Sequence, residues 1–413
     1  MRVLISGASV AGPVLAHWLA RYGFTVTVVE RAPALRKAGG HAVDLFRPAM
    51  DIADRMGLAE RIQARRTGTE RLAFRTAGGD RPYEAEVGRL IRIMSDRHVE
   101  IMRDDLSEIL YEATRHDVEY LFGDSIAAIT EEPGGVEVTF ERGPARGFDL
   151  VIGADGLHSN VRRLVFGPES RFSTWIGAYL AVMSLPNYLG LRDRMEGVTD
   201  VNKLVGMYGG AHLDDARAIF MFRPAAELDY HHRDVGRQKE LLRENFAGMG
   251  WEVPRLIGEE LDRASTFYFD SITQLRMDTW SRGRVSLVGD AGYCPGPAVG
   301  GSTSLAVVGA YVLAGELAEA RGDHTRAFPA YEREIGDYVR RSRTFAVGAA
   351  RRLIPRSRLD LWAMVQGIRL VDHVPVPILR ALTGLGGRGV RLHDEVALKS
   401  YPRGRVVGTD AVR

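Results

Sequence analysis

Val3-Leu4-Ile5-Ser6-Gly7-Ala8-Ser9-Val10-Ala11-Gly12-Pro13-Val14-Leu15-Ala16-His17-Trp18-Leu19-Ala20, followed by Val26-Thr27-Val28-Val29-Glu30, is the stretch that decides the fold. An apolar run of strand length leads into a small-residue turn, then apolar residues recur at helical spacing, then a second strand ends in an acid. This order reads as a βαβ nucleotide grip. The turn aims backbone N–H groups and the positive end of a helix at a pyrophosphate, and a carboxylate closing the second strand accepts hydrogen bonds from a ribose. Glu30 stands at about the distance from the turn that this fingerprint expects. Ser9 occupies the place of the middle glycine, where a short side chain with a hydroxyl can still donate to phosphate. Taken alone, the match equally fits an ordinary buried βαβ unit whose glycines serve only helix packing, and two later stretches decide between the readings.

Composition narrows the field. At 413 residues the chain can bury a large core and is long for one compact unit, so two interleaved or consecutive domains are expected. With 55 basic and 53 acidic residues the net charge is +2, which offers no field for nucleic acid. The single cysteine, Cys294, excludes an internal disulfide, a CxxC pair and a cysteine-ligated cluster, and fits the cytoplasm. The nucleotide turn starts so early that no leader peptide is expected. The longest apolar stretch, residues 305–317, contains Gly309, Gly315 and Glu316 and is too short to span a bilayer, so no membrane partner is expected.

Beyond Glu30, residues 48–57 have helical spacing, and a helix opening at Asp96 carries Leu106, Ile109, Leu110 and Ala113. Residues 118–140 read as a β-meander, closed by strict alternation in Val136-Glu137-Val138-Thr139-Phe140. A buried strand then breaks into Gly153-Ala154-Asp155-Gly156-Leu157-His158-Ser159-Asn160-Val161-Arg162. From about 175 to 279 short strands dominate, around one helix at 237–248, as in a separate sheet that could lid a substrate. Another buried strand ends at Gly289-Asp290-Ala291, a Gly/Pro loop follows, and a long helix runs from about 302 to 320. Helices are read at 327–348, 359–371 and 378–385, then a polar, frayed tail. The fold class is therefore α/β: a Rossmann-like binding domain (1–70, 96–172, 280–345) interleaved with a mixed β-sheet substrate domain (71–95, 173–279), and a helical C-terminal region (346–413).

Gly7 to Gly12 with Glu30, Asp155-Gly156 with Ser159 and Arg162, and Gly289-Asp290-Ala291 with Pro297 and Gly300-Gly301 make sense as one site. In order and spacing this set resembles the flavin-dependent aromatic hydroxylase family typified by para-hydroxybenzoate hydroxylase, in the branch of tetracycline-degrading and polyketide-tailoring monooxygenases. The resemblance covers residues 1 to about 345. It implies bound, non-covalent FAD, with Gly7, Ser9, Val10, Ala11 and Gly12 at the pyrophosphate, Glu30 at the adenosine ribose and Arg31 beside the adenine end. Arg103 matches the arginine reaching toward the phosphate and ribityl region, and Ile126 the residue near adenine. Asp155 matches the Asp of the family's Asp-Gly pair, implicated in FAD and NAD(P)H contacts, and Asp290 the acceptor from a ribityl hydroxyl. Pro297, Gly300, Gly301, Ser302 and Thr303 would set a helix N-terminus against the flavin N1–C2=O edge, where negative charge gathers on reduction. Such an end stabilises nearby anionic charge by roughly 0.3–2 kcal/mol. Three positions depart from the family pattern: Tyr293 for a histidine, Ser302 for a glycine and Ser304 for an asparagine.

By resemblance, NAD(P)H reduces FAD, O2 adds at flavin C4a, and the distal oxygen of the hydroperoxide passes to a hydrophobic aromatic or polycyclic small molecule. NAD(P)H would bind transiently, since no second glycine-rich βαβ is present, and the protein would be a monomer or homodimer. Two other readings stay open: an FAD-dependent reductase of unsaturated isoprenoid chains, and a non-catalytic flavin-binding protein. No side chain is assigned as catalytic. Tyr208, His212, His231 and His232 are considered as a base and read as surface or structural residues, and the His231-His232 pair as no metal site. Cys294 reads as a small buried hydrophobe, and Arg47 as a solvated arginine or a binder of a substrate carboxylate.

Overall fold

The computed structural model describes residues 1–35, 40–79, 81–210, 213–297, 301–371, 373–379 and 391–401. At its centre β1 (Arg2–Ser6) lies parallel to β2 (Thr25–Glu30), with α1 (Ala11–Arg21) between them in sequence. Val3, Leu4 and Ile5 are fully buried, as expected of a parallel strand covered on both faces. The six-stranded sheet runs in the order Ser281–Arg282, Val285–Leu287, Leu150–Gly153, β1, β2, Glu119–Phe122, and only the first strand is antiparallel to its neighbour. From β1 the chain moves first to one side of the sheet and later returns to the other. The carboxyl end of β1 is thus the topological switch point, where open α/β sheets hold ligands. The helix Ser302–Glu319, apolar nearly all round, covers this sheet together with α1.

The second large sheet has seven strands in the order Phe267–Leu275, Ser173–Pro186, Asp215–Phe222, Lys203–Gly209, Arg194–Asp200, Arg71–Thr76, Tyr83–Glu86. Neighbours are antiparallel except Arg194–Asp200 with Arg71–Thr76. One face packs Phe220, Phe222 and Phe269 against Leu242 and Phe246 of the helix Val235–Phe246, and the other sets Leu180, Val182 and Met221 against Ala346 and Ala350 of the helix His324–Leu353. Beyond it, the helix Arg358–Val371 packs Val365 onto Phe74 and Tyr83. The mixed α/β architecture with a helical C-terminal region is the one the sequence pointed to.

Several local expectations are corrected. The segment read as a helix from Asp96 is first a strand, His98–Met102, paired antiparallel with Ala42–Phe46, and the helix Arg103–Glu112 begins only after it. Val99 and Ile101 point into the core with period two, and the following apolar residues at helical spacing hid that switch. Val87–Met94 is a helix where the sequence carries no clear helical signal. Glu119–Phe122 joins β2 in the parallel sheet, so the meander is only Ile126–Glu132, Gly135–Phe140 and Arg146–Phe148. The tail is not frayed at 391–401: Leu392 and Tyr401 are buried in the main core. The helix read at 378–385 lies largely outside the described residues. Among the described residues no helix is long and apolar enough to cross a membrane.

Candidate functional site

The three motif stretches meet at the carboxyl end of β1. Gly7, at φ +110°, lies so close to the chain at 154–155 that a Cβ would collide with the Ala154 carbonyl oxygen, and a Cβ on Gly12 would collide with that of Gly7. A Cβ on Gly289 would stand 3.3 Å from Ala11 and 3.2 Å from Ala306, so the third motif sits between the starts of α1 and the Ser302 helix. The Arg162 guanidinium, only 1% exposed, ties the second motif to the third by donating to the Ala291 carbonyl (2.9 Å), and it also holds the Leu157 carbonyl (2.5 Å) and Glu169 (2.6 Å).

Around this junction the polar groups are tightly arranged. Glu30 accepts from the N–H of Ala8 in the turn (3.0 Å) and of Ala32 (2.9 Å). Arg103, first residue of its helix, donates from Nε to the Ser9 hydroxyl (3.2 Å), which also lies 3.4 Å from Ser107. Ser302 donates from its hydroxyl to Asp290 (2.6 Å), so the residue standing where the family has a glycine braces the carboxylate at the start of the third motif. Gly301, at φ +90°, caps the helix that Ser302 begins. Gly7, Ser9, Val10, Ala11, Gly12, Glu30, Arg103, Asp290, Gly301 and Ser302 thus come to this one junction, with Thr303 next in the helix; Thr303 and Pro297 are half-buried. Gly300 lies outside the described residues.

Other singled-out residues have different surroundings. Asp155 is consumed by its own loop: it accepts from the Ser159 hydroxyl (2.5 Å) and from the N–H groups of Asn160 (2.9 Å) and Val161 (3.0 Å), capping the helix Asn160–Val165. Burial raises its carboxyl pKa and these hydrogen bonds oppose the rise. Ile126 is buried, and its carbonyl accepts from the Asn160 side chain (2.6 Å); Arg31 is exposed at the end of β2. Tyr293 points into the core, where its hydroxyl occupies the space left by Gly309 and receives a hydrogen bond from Tyr331 (3.0 Å). Cys294 is fully buried, and burial and the Asp290 carboxylate push its thiol well up. The Tyr208 hydroxyl accepts from the Ala42 N–H (3.0 Å), and burial raises its pKa. Arg47 lies 3.6 Å from Asp96 at the surface, and His212 lies outside the described residues.

One cluster had no signal in the sequence. His158 lies 3.1 Å from Glu169 and 3.2 Å from Asp270, and His232 stacks on it at 4.3 Å, with Arg162 on the far side of Glu169. Burial alone would lower the His158 pKa, but the hydrogen bonds to Asp270 and Glu169 outweigh it and push the value up to about 9. His232 is pushed down by burial and by the His158 charge. A folded-state value above the unfolded one near 6.5 means that this pair of contacts stabilises fully below about pH 6.5 and is lost as pH rises toward 9. With 32% of the His158 side chain exposed, the screened contribution is on the order of 1–2 kcal/mol. Thermal melts of the wild type should therefore fall between pH 6.5 and 9, and His158→Gln should flatten that fall; an unchanged slope counts against the cluster as a source of stability.

Residues 1–342 match the FAD binding domain family. The chain belongs to this family. Among its relatives, a flavin-dependent monooxygenase of Legionella longbeachae is 41% identical over 347 residues, covering 84% of this chain and 88% of that protein. An uncharacterised protein of Mycobacterium tuberculosis is 44% identical over 341 residues, covering 82% and 91%. The crystal structure of the tetracycline destructase Tet(51) superposes with a TM-score of 0.82 at 34% identity, covering 97% of this chain and 99% of that one. The resemblance to flavoprotein monooxygenases of the aromatic hydroxylase type thus holds at the level of family. The junction fits the family's FAD: a turn too tight for any Cβ at Gly7 or Gly12, an arginine turned onto that turn, and a braced carboxylate beside a helix start.

Proposed function

We propose that this FAD monooxygenase takes electrons from NAD(P)H and inserts one atom of O2 into a hydrophobic aromatic or polycyclic small molecule. The observation that supports it most is the convergence of Gly7, Arg103 and the Asp290–Ser302 pair at one sheet end. Bound there, FAD supplies electron transfer and O2 activation, which no side chain can perform. In this reading the Gly7 to Gly12 turn takes the pyrophosphate, Glu30 a ribose, and Arg31 and Ile126 the adenine end. Arg103 approaches the phosphates and ribityl chain, and Asp290 accepts from a ribityl hydroxyl. Pro297, Gly300, Gly301, Ser302 and Thr303 form the flavin edge. Asp155 acts by shaping the loop that carries His158.

The chain divides, on this proposal, into a cofactor part (1–70, 96–172, 280–345), a substrate sheet (71–95, 173–279) that excludes water from the reacting atoms, and the C-terminal remainder (346–413). The kinship to a tetracycline destructase suits a flat polycyclic substrate, while Phe220, Phe222 and Phe269 are taken up by the packing of the sheet under the helix Val235–Phe246. A cytoplasmic monomer or homodimer completes the reading.

The test is a screen of NADPH and NADH oxidation by the purified yellow protein against phenols and polyketides, with mass spectrometry of products formed under 18O2. At least one ligand should raise the oxidation rate tenfold or more and carry one labelled oxygen. Reduction of a polyprenyl substrate without O2 uptake would instead establish the reductase reading, and no stimulation by any ligand a flavin-binding protein without turnover.

A further inference from the structure

The C-terminal segment 391–401 is tied along the Ser302 helix by groups that the family resemblance does not reach. Lys399 donates from Nζ to Glu316 and Glu319 (2.7 Å each), and the Tyr401 hydroxyl donates to Glu316 (2.8 Å). The Tyr311 hydroxyl donates to the Lys399 carbonyl (3.1 Å). At the other end Asp394 accepts from the Ser95 hydroxyl (2.6 Å) and the Asp96 N–H (2.8 Å). Tyr401 also lies against Gly315, which has no side chain to keep it away. Such a set of contacts, made to the back of the helix whose N-terminus faces the cofactor junction, gives this strap a fixed register.

What that register delivers is His393, 2% exposed, between the strap and the helix start. Its ring stacks on Phe46 with centroids 4.2 Å apart and planes within 1° of parallel. Nδ1 lies 2.6 Å from the Tyr338 hydroxyl, and Nε2 stands 2.5 Å from where a Cβ on Gly301 would be. Burial keeps the imidazole neutral, with its pKa pushed down to about 4, and raises the Tyr338 phenol, so both partners of this contact are uncharged. In the tautomer in which the phenol donates to Nδ1, the ring proton sits on Nε2. That buried atom has no hydrogen-bond partner among the described residues. A buried donor left unmade costs about 1–3 kcal/mol, and here it lies against Gly301, the capping glycine of the Ser302 helix start.

We propose that the 391–401 strap is part of the FAD site: His393, held by Tyr338 and Phe46 against Gly301, offers its Nε2–H to the flavin carried at the start of the Ser302 helix. This rests on the FAD reading above. The hydrogen bond adds a donor from a third element to the N–H groups of the helix start, where it favours the electron-rich, reduced form. A side-chain donor at that edge also explains why Gly301 has no room for a side chain of its own.

The test compares wild type, His393→Phe, which keeps the stack on Phe46 but has no donor, and His393→Gln, which keeps a donor. Each is titrated with FAD and its bound-flavin midpoint potential measured. The expected result is about tenfold weaker FAD binding and a more negative potential in His393→Phe, the loss of one hydrogen bond near 1.4 kcal/mol, with both largely restored in His393→Gln. Equal loss in both variants, or a change in melting temperature alone, makes His393 a packing residue and overturns the proposal. Should both variants fail to fold, 15N histidine spectra of the wild type decide: addition of FAD must move the His393 Nε2 resonance, and an unmoved resonance overturns the donor role. A wild type that binds no FAD would sink the cofactor reading itself, whereas normal binding by wild type and His393→Phe alike sinks only the role of His393.

Discussion

Asp290→Ala is expected to emerge from purification with little or no flavin, its absorbance near 450 nm per mole of protein a small fraction of the wild-type value. Asp290 follows Gly289, whose φ of +68° turns the chain sharply out of the buried strand Val285–Leu287. One carboxylate oxygen is held by the Ser302 hydroxyl at 2.6 Å, which fixes the side chain across the gap between the third motif and the helix start. A carboxylate prepared in this way accepts a ribityl hydroxyl without further ordering. Hydrogen bonds to a charged acceptor contribute about 1.5–3 kcal/mol, so its loss predicts FAD affinity reduced on the order of tenfold to a hundredfold, and more if Ser302 reorients. Asp290→Asn should fall between. Glu30→Ala should lose less, because the Ala8 and Ala32 N–H groups it now serves sit at a partly open strand end where water can replace it. Full flavin occupancy in Asp290→Ala would count heavily against the placement of FAD at this junction.

The sequence was most legible where one residue type has one physical use. Gly7, Gly12 and the acid at Glu30 announce the turn because no other residues tolerate those close approaches, and the buried strand endings at Gly153 and Gly289 repeat that logic. Legibility failed where the decisive partner lies far along the chain. Arg162 is legible as part of the Asp155-Gly156 motif, but not its partners: it is buried by Glu169 and two carbonyls, one of them 129 residues away. His158, Glu169 and Asp270 are drawn together only by the packing of the seven-stranded sheet on the first one. His393 lies in a polar stretch with no periodic pattern, and its burial depends on Tyr338, Phe46 and Gly301, none of which signals the others. Tyr293 departs from the family histidine, and only the void at Gly309 explains where the larger ring goes. Period-two and period-3.6 patterns run together at 98–113, so a strand of five residues disappeared into the helix that follows it.

The same crowding that made the turn legible fixes the second large effect. At Gly12 the backbone is ordinary helix, so alanine is conformationally acceptable there, and as a helix former it would even be favoured. What forbids it is contact: the added methyl would meet the Gly7 carbonyl oxygen, and Gly7 is itself packed so near the chain at 154–155 that even a Cβ of its own would collide with the Ala154 carbonyl oxygen. Relief requires α1 to move off β1, which opens the turn and swings its N–H groups away from the pyrophosphate position. Overpacking of this kind costs about 1–3 kcal/mol where side chains can adjust, and here both obstacles are backbone, so Gly12→Ala should sit at the upper end or beyond. The expected outcome is a clear fall in melting temperature together with FAD binding weakened at least a hundredfold. Ser9 offers the matched control within the same turn. Among the described residues its hydroxyl meets the Arg103 Nε at 3.2 Å and Ser107 at 3.4 Å, so Ser9→Gly removes two modest contacts and leaves the backbone path intact. Its melting temperature should stay close to wild type and its FAD affinity within about tenfold. Parallel melts and FAD titrations of the two variants check the ranking. If Ser9→Gly proved the more damaging, the hydroxyl rather than the close backbone approach would be what holds the phosphates, and the turn would have to be understood as a side-chain site.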